Sequence, residues 1–157
     1  MLSIRPANVD DTALLLDLIR GLAEYEHLSH LVTASQATLA DALFGARPGA
    51  EALLAFEDNN AIGFAVFFHS FSTFLARRGL WLEDLFVKPE HRRKGYGRAL
   101  FLHVARIAHE RRCGRFEWAA LDWNEPAIRF YKSMGAVALD DWTTFRVTGE
   151  ALARLAS

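Results

Sequence analysis

The segment HRRKGYGRALF, residues 91–101, gathers His91, Arg92, Arg93, Lys94 and Arg98 around two glycines, directly ahead of an apolar helical pattern. Gly95 and Gly97 let the backbone approach a ligand closely and turn successive N–H groups the same way. A helix beginning near Tyr96 would add the positive end of its dipole. Arg92 and Arg93 contribute charge-assisted donors, and a guanidinium can grip two phosphate oxygens at once. The chemistry implied is capture of a local anion, with pyrophosphate the natural guest. GxxxxGK[ST] is absent and no third glycine completes GxGxxG, so neither a nucleotide hydrolase nor a dinucleotide enzyme is supported. Taken alone, the loop fits a solvated basic turn equally well.

Two further groups flank this loop. Upstream, LWLEDLFV carries Glu83 and Asp84 side by side. On a regular strand their side chains point in opposite directions, which assigns them to different surfaces. Downstream, Phe130 and Tyr131 sit on an apolar helical stripe that Asn124 opens. Packing and helix capping would explain these residues as readily as chemistry does. HERRC, residues 109–113, has a cysteine where HExxH needs its second histidine and has no third ligand, so no metal site is expected. The tryptophans lack the basic stripe that nucleic-acid stacking would require. Cys113, the single cysteine, can form no internal disulfide and is not expected to carry an acyl group.

The elements that must position these groups follow from periodicity. Leu2 to Pro6 reads as a strand. Asp10 or Asp11 caps a helix carrying Leu14, Leu15, Leu18, Ile19 and Leu22, and Thr33 caps a second helix running to Gly45. Residues 52–56, 61–71 and 79–87 are rich in aliphatic and aromatic side chains and read as three antiparallel strands. Leu100, Val104, Ile107 and Ala108 recur at helical spacing behind the glycine loop, and residues 116–121 return to strand character. A helix from Asn124 closes at Gly135, and a last strand over residues 142–147 precedes a short helix. The expectation is one α/β domain spanning residues 1–157.

Composition bounds the rest. Apolar residues make up 52% of the chain, enough for a sizeable core, and the formal net charge of −1 argues against broad binding to nucleic acid. No run of ~20 apolar residues suggests a membrane span. The first residues lack a secretory pattern, and a cytoplasmic location is expected.

RRKGYG, residues 92–97, resembles the R/Q-x-x-G-x-G/A signature of the GNAT superfamily of N-acetyltransferases. LEDLFV, WNEPAIRFYKSMGA and GLAEYE are similar to segments of its diamine, spermidine/spermine and thialysine branch. The resemblance implies a strongly bent, mixed but mainly antiparallel sheet flanked by helices. It also implies acetyl-CoA lying where two central strands splay apart, no metal, and a homodimer. By likeness, Glu83 is the base, directly or through water, and Tyr131 is the acid that protonates the departing thiolate. The backbone of Leu85, Phe86 and Val87 pairs with the pantetheine arm. Arg92, Arg93, Lys94, Gly95, Tyr96, Gly97 and Arg98 hold the pyrophosphate, with Asn124, Ala127 and Lys132 completing the cofactor set. Tyr25, Glu26, Glu83, Asp84, Trp118, Asp141 and Trp142 face the acceptor.

A base is chemically required. A lysine-like amine is neutral in only about one molecule in 2,500 at pH 7, and only the neutral form attacks a thioester. Thr73 and Leu75 stand where the polyamine enzymes carry an aspartate and a tryptophan, while Arg77 and Arg78 are expected near the site's approach. A lysine-like amino acid such as thialysine is therefore as good a candidate acceptor as a polyamine. A non-catalytic acyl-CoA sensor and a protein-lysine acetyltransferase are the alternatives.

Overall fold

The computed structural model describes residues 1–157, and they form two compact units, Met1–Ala119 and Ala120–Ser157. The larger unit is built on a sheet of β1 (Leu2–Pro6), β2 (Glu51–Glu57), β3 (Asn60–Ser72), β4 (Arg77–Val87) and β5 (Phe116–Trp118). Their spatial order is their chain order. The first three pairings are antiparallel, and β4 to β5 is parallel. β3 reads as an unbroken apolar run because both of its faces are covered: residues 61–67 are all buried. Gly63 is obligatory there, since a Cβ would run into the carbonyl oxygen of Phe86 on the neighbouring strand.

One face of the sheet receives α1 (Thr12–Tyr25) and α2 (Gln36–Phe44). Leu15, Leu18 and Leu43 form one buried cluster with Ala52, Leu54, Phe64, Val66 and Phe86. Alternation along the strands sends Leu53, Ala55, Ala65 and Phe67 to the opposite face. There α3 (Tyr96–Glu110) packs on β3 and β4 and buries Leu100, Phe101, Val104 and Ala108 at helical spacing. Burial of each of the three larger side chains contributes about 2 kcal/mol. The C-terminal end of α3 is tied down by Arg111, which grips Glu51 at 2.6 and 2.8 Å and donates to His69 Nε2 at 2.9 Å.

Both helix starts differ in detail from expectation. Asp11 occupies the position before α1, but its carboxylate is taken by Arg5 (2.7 and 2.9 Å) and by the Asn8 N–H (2.8 Å). Ser35, not Thr33, caps α2, exchanging hydrogen bonds with Thr38 in a reciprocal box.

The smaller unit contains α4 (Glu125–Ser133) and α5 (Gly149–Leu155). Gly135 ends the α4 segment at φ +93°, a left-handed conformation natural for glycine. The strand expected over residues 142–147 is not formed. Those residues are strand formers by type, but a strand exists only through ladder partners, and this stretch follows a turn closed by the Trp142 N–H on the Leu139 carbonyl. Phe145 is 88% exposed there. No helix is long and apolar enough to cross a membrane.

Candidate active site

The register of β4 organises the chemistry. Val66 of β3 pairs with Asp84 and Phe67 pairs with Leu82, so Glu83 is an extra residue in a β-bulge. Directly opposed residues share a face of the sheet. Asp84 therefore follows Val66 onto the α1/α2 face, whereas Leu82 follows Phe67 onto the α3 face. Trp81, opposite Phe68, lies on the α1/α2 face, and its Nε1–H donates to Glu83 Oε2 at 3.0 Å. The bulge thus overturns the expectation that Glu83 and Asp84 serve different surfaces. It brings both carboxyls to the side where α1 ends at Tyr25 and Glu26.

Electrostatics record this convergence. Asp84 is pushed up to about 7 by burial, reinforced by the charges of Glu83 and Glu26. Burial also raises the carboxyl of Glu26. Three acidic groups, two of them with raised pKa, make a site that a cation would stabilise. Arg77 and Arg78 do not approach it. They pair with Ser72 and Phe71 at the far end of the β3–β4 hairpin, and Arg78 lies five residues, about 17 Å of strand, from Glu83.

β4 is also unusual in its neighbours. β5 pairs only with Leu80, Trp81 and Leu82, so Glu83–Val87 have a partner strand on the β3 side alone. The pleat turns the N–H and C=O groups of Leu85 and Val87 toward the side that β5 leaves open, where an extended amide-bearing chain could pair with them, while those of Phe86 face β3. That opening leads to the glycine loop. After a 3-10 turn at Pro89–His91, Arg93 (φ +64°) and Gly95 (φ +81°) both take left-handed backbone conformations. Gly95 stands at the N-cap of α3, where no side chain caps the helix and no acid occupies the first turn. A Cβ on Gly95 would meet nothing within 4 Å. Uncapped N–H groups, open space and basic neighbours are what a pyrophosphate requires, so the loop fits the phosphates of acetyl-CoA.

The basic side chains divide the work. Arg92 is half-buried: its Nε donates to the Val87 carbonyl at 2.9 Å and its guanidinium lies 4.3 Å from the centre of the Tyr25 ring. Arg93 and Arg98 are exposed. Lys94 donates to both oxygens of Glu57 at 3.0 and 3.2 Å, and the Tyr96 hydroxyl donates to Oε1 of the same carboxylate. Hydrogen bonds from Tyr96 and Lys94, and then from His91, hold the Glu57 carboxyl down at about 2. Glu57 escaped sequence reading because nothing local marks it. Its donors lie 34 to 39 residues away.

Trp118, expected at the acceptor, is not brought to the acidic trio. As the partner of Leu82 it lies on the α3 face, with its ring edge-on to Phe101 at 5.1 Å. In the smaller unit, Asn124 immediately precedes α4, and Ala127 and Tyr131 follow it at intervals that place all three along one stripe of the helix. Lys132 lies in the last turn of α4, and the rings of Phe130 and Tyr131 are 5.4 Å apart. Asp141 and Trp142 fall at the turn before the unpaired stretch, and Trp142 is exposed.

Comparison with known proteins agrees with this architecture. Residues 16–136 match the acetyltransferase (GNAT) family. The chain is 37% identical to a thialysine N-epsilon-acetyltransferase of Sus scrofa, over 98% of this chain and 96% of that protein. It is 31% identical to L-ornithine N5-acetyltransferase NATA1 of Arabidopsis thaliana, over 95% and 85% respectively. Among solved structures, an integron cassette protein from the mobile metagenome of V. cholerae superimposes with a TM-score of 0.80 at 28% identity, covering 99% of this chain and 97% of that one. The chain belongs to the GNAT family of acetyltransferases.

Proposed function

We propose that this acetyltransferase moves an acetyl group from acetyl-CoA to the primary amine of a small amino acid with a cationic side chain, of the thialysine, lysine or ornithine type. The observation that carries the proposal is the convergence of Glu26, Glu83 and Asp84 at the bulge, beside the stretch of β4 that β5 leaves unpaired. Relatives named for thialysine and ornithine support the same acceptor class. Two features favour a short acceptor over a polyamine. The carboxyls are gathered at one point of the strand, and Thr73 and Leu75 offer no charge for a second ammonium.

Acetyl-CoA supplies an activated thioester when bound. Arg93, Arg98 and the N–H groups of Gly95, Tyr96 and Gly97 would hold its phosphates, with Asn124, Ala127 and Lys132 assigned to the same cofactor by family likeness; Lys94 is taken up by Glu57, and Arg92 by the Val87 carbonyl and the Tyr25 ring. The backbone of Leu85–Val87 would align the pantetheine arm. Tyr25, Glu26 and Asp84 draw the ammonium in and orient it, with Asp141 and Trp142 assigned to the same acceptor. Glu83, its carboxylate steered by Trp81, takes the proton that leaves the amine, directly or through one water. Tyr131 delivers a proton to the departing sulfur, since a phenol is still protonated at neutral pH. The protein works in the cytoplasm as a homodimer.

The test is release of free thiol from acetyl-CoA with lysine, thialysine, ornithine, putrescine and spermidine as acceptors. Turnover on the amino acids well above that on spermidine is expected. The reverse order would overturn the acceptor assignment. Tight binding of acetyl-CoA without turnover on any amine would replace catalysis by a sensor role.

A further inference from the structure

We propose that Glu57 is a positioning residue for the cofactor loop: it clamps the glycine loop in its anion-binding shape and diverts Lys94 from the phosphates to do so. The proposal rests on the acetyl-CoA assignment above. Glu57 ends β2 and is itself fixed on both sides, paired with Leu2 of β1 and with Asn60 of β3. Onto its carboxylate converge three side chains from one six-residue stretch. His91 Nδ1 lies 2.7 Å from Oε2, Lys94 Nζ lies 3.0 and 3.2 Å from the two oxygens, and the Tyr96 hydroxyl bonds to Oε1.

These attachment points bracket the two left-handed residues of the loop, Arg93 and Gly95. A non-glycine residue in that conformation persists only where its surroundings enforce it. Tyr96 and Lys94 sit on either side of Gly95, so the clamp fixes the direction of the N–H groups at the start of α3. A loop already held in its binding shape loses less conformational freedom when a ligand arrives, and that difference appears as affinity. The clamp also divides the charge. Lys94 is neutralised by Glu57, which leaves the exposed guanidiniums of Arg93 and Arg98 to face the phosphates. Arg92 is engaged by the Val87 carbonyl and the Tyr25 ring.

The experiment compares the wild-type chain with Glu57→Ala, Glu57→Gln and Arg93→Ala. Acetyl-CoA affinity is measured by calorimetry from 50 to 300 mM salt (a roughly 2.4-fold fall in the screening length), alongside steady-state kinetics and amide exchange of residues 91–97. Glu57→Ala is expected to weaken acetyl-CoA binding and raise its KM about tenfold. Its kcat at saturating acetyl-CoA and its amine KM should stay within about twofold, while the loop amides exchange faster. Glu57→Ala and Glu57→Gln uncover the Lys94 charge and should steepen the salt dependence of binding, whereas Arg93→Ala flattens it.

If Glu57→Ala does not fold, Glu57→Gln supplies the same comparison. It keeps an acceptor for Tyr96 but loses the charge that holds Lys94, and a smaller loss of affinity in the same direction is expected. Unchanged affinity in a folded Glu57 variant overturns the clamp. So does a parallel fall in kcat and amine affinity, or a salt dependence in the Glu57 variants no steeper than that of the wild type. Failure of the wild type to bind acetyl-CoA overturns the functional assignment itself, an outcome distinct from a wild type that binds and a Glu57 variant that binds equally well.

Discussion

Asp84→Asn should stabilise this protein at alkaline pH and leave its stability unaltered in acid. In the folded chain the Asp84 carboxyl titrates at about 7, against 3.8 for an ordinary aspartate, with burial the main cause and the charges of Glu83 and Glu26 adding to it. The folded state therefore binds this proton more tightly than the unfolded state does. Stability falls as pH rises, with the loss beginning near the unfolded value of 3.8 and complete once pH has passed the folded value of about 7. A shift of roughly 3 units, at about 1.4 kcal/mol each, puts the full effect at about 4 kcal/mol. Asparagine has the same shape and carries no charge at any pH. Stability differences between variant and wild type should then grow from near zero at about pH 4 to a plateau of up to about 4 kcal/mol near pH 8. For a chain of this size that is about 8–16 °C in Tm. Urea titrations and thermal scans of both proteins at matched ionic strength over this range would measure it. Glu26 titrates in both proteins and cancels to first order. A difference that stays constant with pH would show that Asp84 is not the buried acid described here. Because the same carboxyl is assigned to the ammonium, the stabilised variant should have a raised amine KM, a case of stability bought with function.

Four other outcomes can be checked. Tyr131→Phe should lower kcat about a hundredfold with acetyl-CoA affinity unchanged, as measured by thiol release and calorimetry. Trp81→Phe removes the hydrogen bond that steers Glu83; its loss of ~1 kcal/mol should appear as about a fivefold fall in kcat/KM. Gly95→Ala meets open space but must hold φ near +81°, so it should cost about 1 kcal/mol in urea unfolding. Gly63→Ala keeps an ordinary backbone conformation but drives a methyl into the Phe86 carbonyl, and should cost about 1–3 kcal/mol by the same measurement.

What could be read from the sequence was what local pattern encodes. The buried stripe of α3 and the apolar run of β3 are periodic, and the glycines at 95 and 97 stand where a helix begins behind basic residues. The order of strands and helices followed from these, apart from the strand expected over residues 142–147. Three features were hidden for one shared reason, that each depends on a partner distant in sequence. The bulge at Glu83 leaves no trace in LWLEDLFV, because buried residues occur on both faces of that strand and no alternation exists to be broken. Glu57 ends an ordinary strand, and its role lies in donors more than 30 residues away. Residues 142–147 have strand composition, yet composition cannot supply a ladder. The misplaced cap of α2 is a smaller matter: Thr33 and Ser35 are both good caps, and the position of Thr38 decides for Ser35.

The bulge makes β4 a strand of two phases. Before it, Leu82 is keyed to the α3 side; after it, Asp84 and Phe86 are keyed to the α1/α2 side. Deleting Glu83 would close the bulge and leave both halves where they are: Leu82 and Asp84 would become neighbours on a regular strand, still opposite Phe67 and Val66. The one extra residue is therefore a tolerated insertion in three dimensions, looped out of the ladder so that a third carboxyl can stand at the site. A deletion at this point would cost the cluster one acid and spare the core, whereas a deletion elsewhere in β4 would turn one half of the strand to the wrong face.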